Sequence, residues 1–178
     1  MNNKYIKNLV LAALFLALAY VLPFFTGNIP QIGSMLLPMH IPVLLCGFVC
    51  GAPWGTLVGL VAPVMRSALT GGFPPIFPTA FAMAFELASY GFVSGFLARR
   101  LPKDLRGIYA TLITAMLFGR VAWGMVMAAI TLNTDGFTFA AFVAGAFTNA
   151  IPGIILQLIA IPAIIFTLQK IRKAPAEV

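Results

Sequence analysis

Apolar residues in this chain are gathered into long runs. Gly/Pro turns and a few charged stretches separate them. The breaks fall at Thr26-Gly27-Asn28-Ile29-Pro30, at Gly51-Ala52-Pro53, at Thr70-Gly71-Gly72-Phe73-Pro74-Pro75, over residues 99–106, and at Asn133-Thr134-Asp135-Gly136. A helix needs about 20 apolar residues to cross a bilayer. The runs therefore predict six membrane spans, near residues 8–25, 34–51, 54–69, 77–98, 108–132 and 140–168. Span two is interrupted at its start by Pro38 and Pro42, with His40 between them. Span six carries Pro152 and Pro162 near its ends and is expected to begin as a partial helix at the outer interface. The expected fold is an all-α integral membrane protein, a six-transmembrane-helix bundle forming one domain over residues 1–178.

Composition supports this reading. Of 178 residues 61% are apolar and only 8% charged, and the mean hydropathy is +1.02. A soluble domain carries roughly 25% charged residues. This chain has too few to cover a water-facing surface, and six spans leave no room for a soluble catalytic or nucleotide-binding domain. The net charge of +7 is not spread evenly. Lys4 and Lys7, then Arg99, Arg100, Lys103 and Arg106, then Lys170, Arg172 and Lys173 form three short basic segments. Short basic segments stay cytoplasmic. The loops at 26–33, 70–76 and 132–138 contain no Lys or Arg. An even number of spans with both termini in the cytoplasm satisfies all of these placements, and an odd number does not. The first apolar run lacks a clear small-residue cleavage site and reads as a retained first helix. The expected location is the cell membrane.

No catalytic constellation is visible, and no metal or cofactor site is expected. There is one histidine, with no phosphate-loop lysine, no HExxH and no Ser/His/Asp set. Cys46 and Cys50 are spaced i, i+4 within an apolar run. That is not the CxxC spacing of redox or zinc sites, and both read as small buried residues. Asp104 and Glu177 belong to the cytoplasmic side and Asp135 to an outer loop, so Glu86 alone is an acid within a span.

The charges inside the apolar runs carry the most information. One charge at a helix centre costs on the order of 3 kcal/mol on insertion scales. Arg66, Glu86 and Arg120 must each face a partner, a cavity or an interface. One acid cannot neutralise two arginines. Either Glu86 pairs with Arg120 and leaves Arg66 to an anion at the outer mouth, or Glu86 bridges one arginine structurally while the other snorkels to headgroups. His40 either satisfies a carbonyl freed by the flanking prolines or bonds a substrate. Tyr90 is one turn from Glu86 and shares its face; Trp123 is three residues beyond Arg120. Together they suit a flat or amphipathic small ligand, or serve as packing and interfacial anchors. Asn149 and Gln157 are two turns apart in span six and either bond across helices or line a polar pocket.

Small residues recur at four-residue spacing: Ala13/Ala17, Gly47/Gly51, Gly55/Gly59 and Gly91/Gly95. Such pairs let helix backbones approach closely. With these residues in view, the chain resembles the S component, the substrate-binding subunit, of energy-coupling factor (ECF) vitamin transporters. The likeness covers about residues 7–172. It rests on the six-span size, on Ala13-Leu14-Phe15-Leu16-Ala17, and on the Pro/Gly-punctuated outer loops. It rests also on the stretches Leu36 to Gly47, Met83 to Gly91 and Gly119-Arg120-Val121-Ala122-Trp123-Gly124.

The resemblance implies a ligand-binding transport subunit and not an enzyme. Its partners would be a transmembrane T component, docked through Ala13 and Ala17, and two cytoplasmic ATPases that hydrolyse ATP. It also implies toppling in the membrane to deliver the ligand. The implied pocket near the outer surface points to Glu86, Tyr90, Arg120, Trp123, Asn149 and Gln157, with the 70–76 loop as a lid. Two buried arginines suit a carboxylate and make pantothenate the leading expectation. A pyridoxine-like vitamin or a cobalamin precursor (dimethylbenzimidazole or its riboside) is the alternative. A stand-alone secondary transporter and a small membrane enzyme are the competing classes.

Overall fold

The computed structural model describes residues 3–26, 35–132 and 137–173. The described residues form helices and turns with no strand. The main helices are α1 (Asn3–Val21), α2 (His40–Cys50), α3 (Ala52–Leu69), α4 (Phe81–Leu97), α5 (Leu105–Ile130), the short α6 (Phe139–Val143) and α7 (Ile151–Lys173). Among the described residues, four stretches are long and apolar enough to cross a membrane: Asn3–Phe25, Ile76–Leu97, Leu105–Ile130 and Phe139–Ile171. Their outer faces carry large apolar side chains such as Val10, Leu14, Phe118 and Ile159. Water would not stabilise such a surface, and lipid does. The chain is an all-α membrane-embedded protein.

Helix ends follow local chemistry. Helix α1 starts five residues before the expected position 8 and tightens at Leu22–Thr26, a turn that contains Pro23. Helix α2 begins only at His40, because Leu37 has φ 51° and turns the chain there. A bulky residue in that region costs on the order of 1–2 kcal/mol. Pro42 then falls in the first turn of α2, where its missing N–H is harmless. Asp104 caps α5, its Oδ1 accepting from the Gly107 N–H at 2.8 Å. Before α4 the chain makes a wide turn, Ile76–Ala80, in which the Ala80 N–H donates to the Pro75 carbonyl. A second wide turn, Ala144–Thr148, separates α6 from α7. The expected loops at 26–33 and 132–138 fall largely outside the described residues, as do Asp135 and Glu177.

Helices α2, α3 and α4 pack backbone against backbone. A β-carbon at Gly55 would lie 2.6 Å from the Gly91 carbonyl oxygen, and one at Gly47 would lie 2.7 Å from the same oxygen. One at Gly59 would overlap the Leu87 carbonyl, and one at Gly95 the Ala52 amide. These four-residue glycine pairs therefore serve packing within the chain. At one end of this seam Gly51 has φ 95° and lies against the Arg99 guanidinium. Arg99 Nη2 donates to the Cys50 carbonyl at 3.1 Å, and Asn8 Nδ2 donates to it at 3.4 Å. Cys46 and Cys50 are buried and not joined in a disulfide. A core of Leu44, Leu87, Leu112, Ile161 and their neighbours fills the space between the helices.

Candidate functional site

Three helices deliver polar groups to one point in this apolar interior. Glu86 and Tyr90 are one turn apart on α4, Arg120 lies on α5, and His40 opens α2. Arg120 Nη1 donates to Glu86 Oε1 at 2.7 Å, and Tyr90 Oη donates to the same oxygen at 3.3 Å. His40 Nε2 stands 3.4 Å from that oxygen. This third approach is electrostatic, because neither ring nitrogen of His40 makes an aligned hydrogen bond among the described residues. The His40 and Tyr90 rings also meet edge to face, with centroids 5.2 Å apart. All four residues are at most 5% exposed. The Leu37 kink and the Pro42 first turn fix where His40 begins its helix. A β-carbon at Gly119 would lie 2.9 Å from Cζ of the Tyr90 ring. Glycine there lets Tyr90 lie flat against α5 beside Arg120.

The other expected site residues are placed differently. Arg66 is buried on α3, where its Nη1 donates to the Tyr20 carbonyl at 3.3 Å and its guanidinium lies 5.4 Å from the centre of the Phe24 ring. It thus caps the end of α1, where a cation is favourable. Trp123 joins an aromatic group and not the Glu86 cluster. Its ring meets Phe137 at 5.6 Å and stacks on Phe142 at 6.2 Å. The contact is reciprocal: Trp123 sits over Gly145 and Phe142 over Gly124. Asn149 is exposed, whereas Gln157 is fully buried. The wide turn ends at Asn149, whose N–H donates five residues back to the Ala144 carbonyl. Helical spacing does not carry across that break, so the two amides do not share a face. Ala13 and Ala17 lie on the exposed side of α1, opposite the buried Ala12, Phe15 and Ala19.

Leu37 and Gly119 are the positioning residues that sequence reasoning missed. A leucine gives no sign of positive φ. Gly119 had a visible cue in its place directly before a buried arginine.

Hydrogen-bonding capacity is left over in the interior. Arg120 Nη2 and both amide atoms of Gln157 are buried without a hydrogen-bond partner among the described residues. No group of three or more His, Cys, Asp or Glu side chains able to hold a metal occurs among them. The cluster offers hydrogen-bond donors and acceptors around a buried ion pair. The family model for the ECF transporter substrate-specific component matches residues 7–165. No curated protein and no solved structure matches the chain. The chain belongs to the ECF transporter substrate-specific component family.

Proposed function

We propose that this chain is the high-affinity substrate-binding subunit of an ECF-type ABC importer for a vitamin or vitamin precursor. It sits in the cell membrane as six spans with both termini cytoplasmic. One observation carries the reading: a buried carboxylate, Glu86, gathers Arg120, Tyr90 and His40 at one point, with unpaired donor and acceptor capacity nearby. A bundle that only anchored itself in lipid would gain nothing from burying these groups. Removing a charge from water is favourable only when it is paired and hydrogen-bonded.

The electrostatics bear on the ligand. Arg120 and Glu86 neutralise each other, and Arg66 is engaged at the end of α1. Pantothenate would bring a second anion beside Glu86, and the two arginines inside the apolar runs are already engaged, Arg120 by Glu86 and Arg66 by the end of α1. This favours the other expected group, an uncharged ring compound such as a pyridoxine-like vitamin, dimethylbenzimidazole or its riboside. The exposed Ala13 and Ala17 side of α1 supports docking on a T component, since small residues allow close, reversible helix contact. Two ATPases would supply the energy, and this chain would bind ligand without turning it over. The 70–76 loop is proposed as the lid.

The test is ligand binding by the purified protein without nucleotide, combined with native mass spectrometry of the protein from its own host. A co-purified neutral vitamin-sized molecule and micromolar or tighter binding are expected. Ion-driven uptake by this chain alone in proteoliposomes would establish a secondary transporter instead.

A further inference from the structure

Two adjacent arginines at the end of α4 do different things. Arg99 turns inward: its Nη2 donates to the Cys50 carbonyl at 3.1 Å, and its guanidinium lies against Gly51. Arg100 turns outward and lies over the exposed Phe96 ring, 4.0 Å from its centre. The backbone keeps a helical turn far enough to place it there, since the Leu101 N–H still donates four residues back to the Leu97 carbonyl at 2.8 Å. Phe92, one turn further into the apolar run, stacks on Phe96 with centroids 5.8 Å apart and rings 16° from parallel. Phe92 and Phe96 are both exposed. The two rings and the guanidinium therefore form one outward row, apolar along α4 and cationic at its end.

The row ends in a concentration of positive charge. Residues 99–106 hold four bases and one acid. Arg99 is committed to the Cys50 carbonyl, and the acid, Asp104, accepts from the Gly107 N–H at the start of α5. Arg100, Lys103 and Arg106 are exposed, and no ion pair engages any of them among the described residues. Just beyond, Leu105 and Tyr109 are exposed one turn apart on α5. A guanidinium resting on an aromatic face is held there by the ring's negative face. Its planar fork of N–H donors matches the oxygens of a phosphate.

We propose that the end of α4 and the loop behind it form a binding site for an anionic phospholipid. Arg100, Lys103 and Arg106 take the phosphate, and an acyl chain lies along Phe96 and Phe92. The site belongs to the leaflet next to residues 99–106 and is independent of whatever ligand is bound at Glu86. Basic residues beside a bilayer attract anionic headgroups, each being worth about a fivefold change in binding. A lipid satisfies both halves of the row, whereas an acidic segment of a protein partner would match only its charge.

The experiment reconstitutes the full-length protein in vesicles of phosphatidylcholine with a minor share of phosphatidylglycerol. The protein is then extracted gently, and its retained lipids are counted by native mass spectrometry. Phosphatidylglycerol should be enriched about fivefold or more over its share in the vesicle. The triple variant Arg100→Gln, Lys103→Gln and Arg106→Gln should lose that enrichment. Phe96→Ala should lower it too, because Arg100 loses its seat. A control with the same loss of charge, Lys170→Gln with Arg172→Gln and Lys173→Gln, should keep it. Glycerol phosphate at the concentration of the lipid offers the anion without the chains and should not displace it. Melting temperatures in detergent check that each variant is folded.

No enrichment in the native protein overturns the inference. So does an enrichment that survives in the loop variant or is unchanged in Phe96→Ala; if uptake is lost while enrichment survives, the loop serves a protein partner instead. An enrichment that falls as far in the α7 variant also overturns it, since the protein would then be responding to net charge alone. Displacement by glycerol phosphate overturns it as well and assigns the cations to a free phosphate.

Discussion

Arg120 and Glu86 meet at 2.7 Å between α5 and α4, with both side chains withdrawn from solvent. Breaking a buried pair by removing one partner costs about 3–5 kcal/mol, whereas replacing both with apolar groups is often neutral. Glu86→Gln and Arg120→Met should each lower the melting temperature of the ligand-free protein sharply. The double variant should recover much of the loss, yet bind no ligand. Thermal unfolding in detergent reads the first effect and calorimetry the second. Additive losses in the double variant would mean that the two residues do not depend on each other.

The glycine seam gives a prediction separate from the site. A β-carbon at Gly91 would overlap the backbone of Gly55 and force α3 and α4 apart. Overpacking of this kind costs about 1–3 kcal/mol. Gly91→Ala should reduce the melting temperature and the yield of folded protein. Gly71→Ala should have a much smaller effect, because nothing lies within 4 Å of its β-position and only its φ of 72° is compromised.

Docking and binding should separate cleanly. Ala13 and Ala17 face outward from α1. Ala13→Trp combined with Ala17→Trp should abolish uptake in cells carrying the T component and ATPases, while the purified variant binds ligand as the native protein does. Uptake at the native level would count against docking through this face.

Orientation can be read with thiol chemistry. The native Cys46 and Cys50 are buried and should stay silent toward a membrane-impermeant maleimide. Pro75→Cys, in the exposed loop before α4, should label on intact cells. Lys103→Cys, between α4 and α5, should label only after permeabilisation. The reverse pattern would invert the proposed topology.

Much of the Glu86 cluster was legible because charge in an apolar run is expensive and must be answered locally. That cost alone said that Glu86 must answer one of the two arginines without choosing between them, and Tyr90 followed from helical spacing on the same element. His40 was harder. Its flanking prolines suggested an unmet carbonyl, whereas its ring stands 3.4 Å from Glu86, three residues after a positive φ at Leu37 that a leucine does not announce. Trp123 follows Arg120 by three residues, yet its ring is claimed by Phe137 and Phe142, contacts that no local spacing encodes. The break at Asn149 defeated the pairing with Gln157, because a wide turn shifts every later position around the helix axis.

Trp123 and Phe142 each occupy the notch left by the other's neighbouring glycine, so α6 cannot leave α5 without unstacking both rings. The chain has one other tryptophan, Trp54, which packs on Tyr5 at α1. With Trp54 replaced by phenylalanine, the remaining indole becomes an optical probe native to the α5–α6 contact. Its emission would follow the separation of these two helices in real time, with no dye attached.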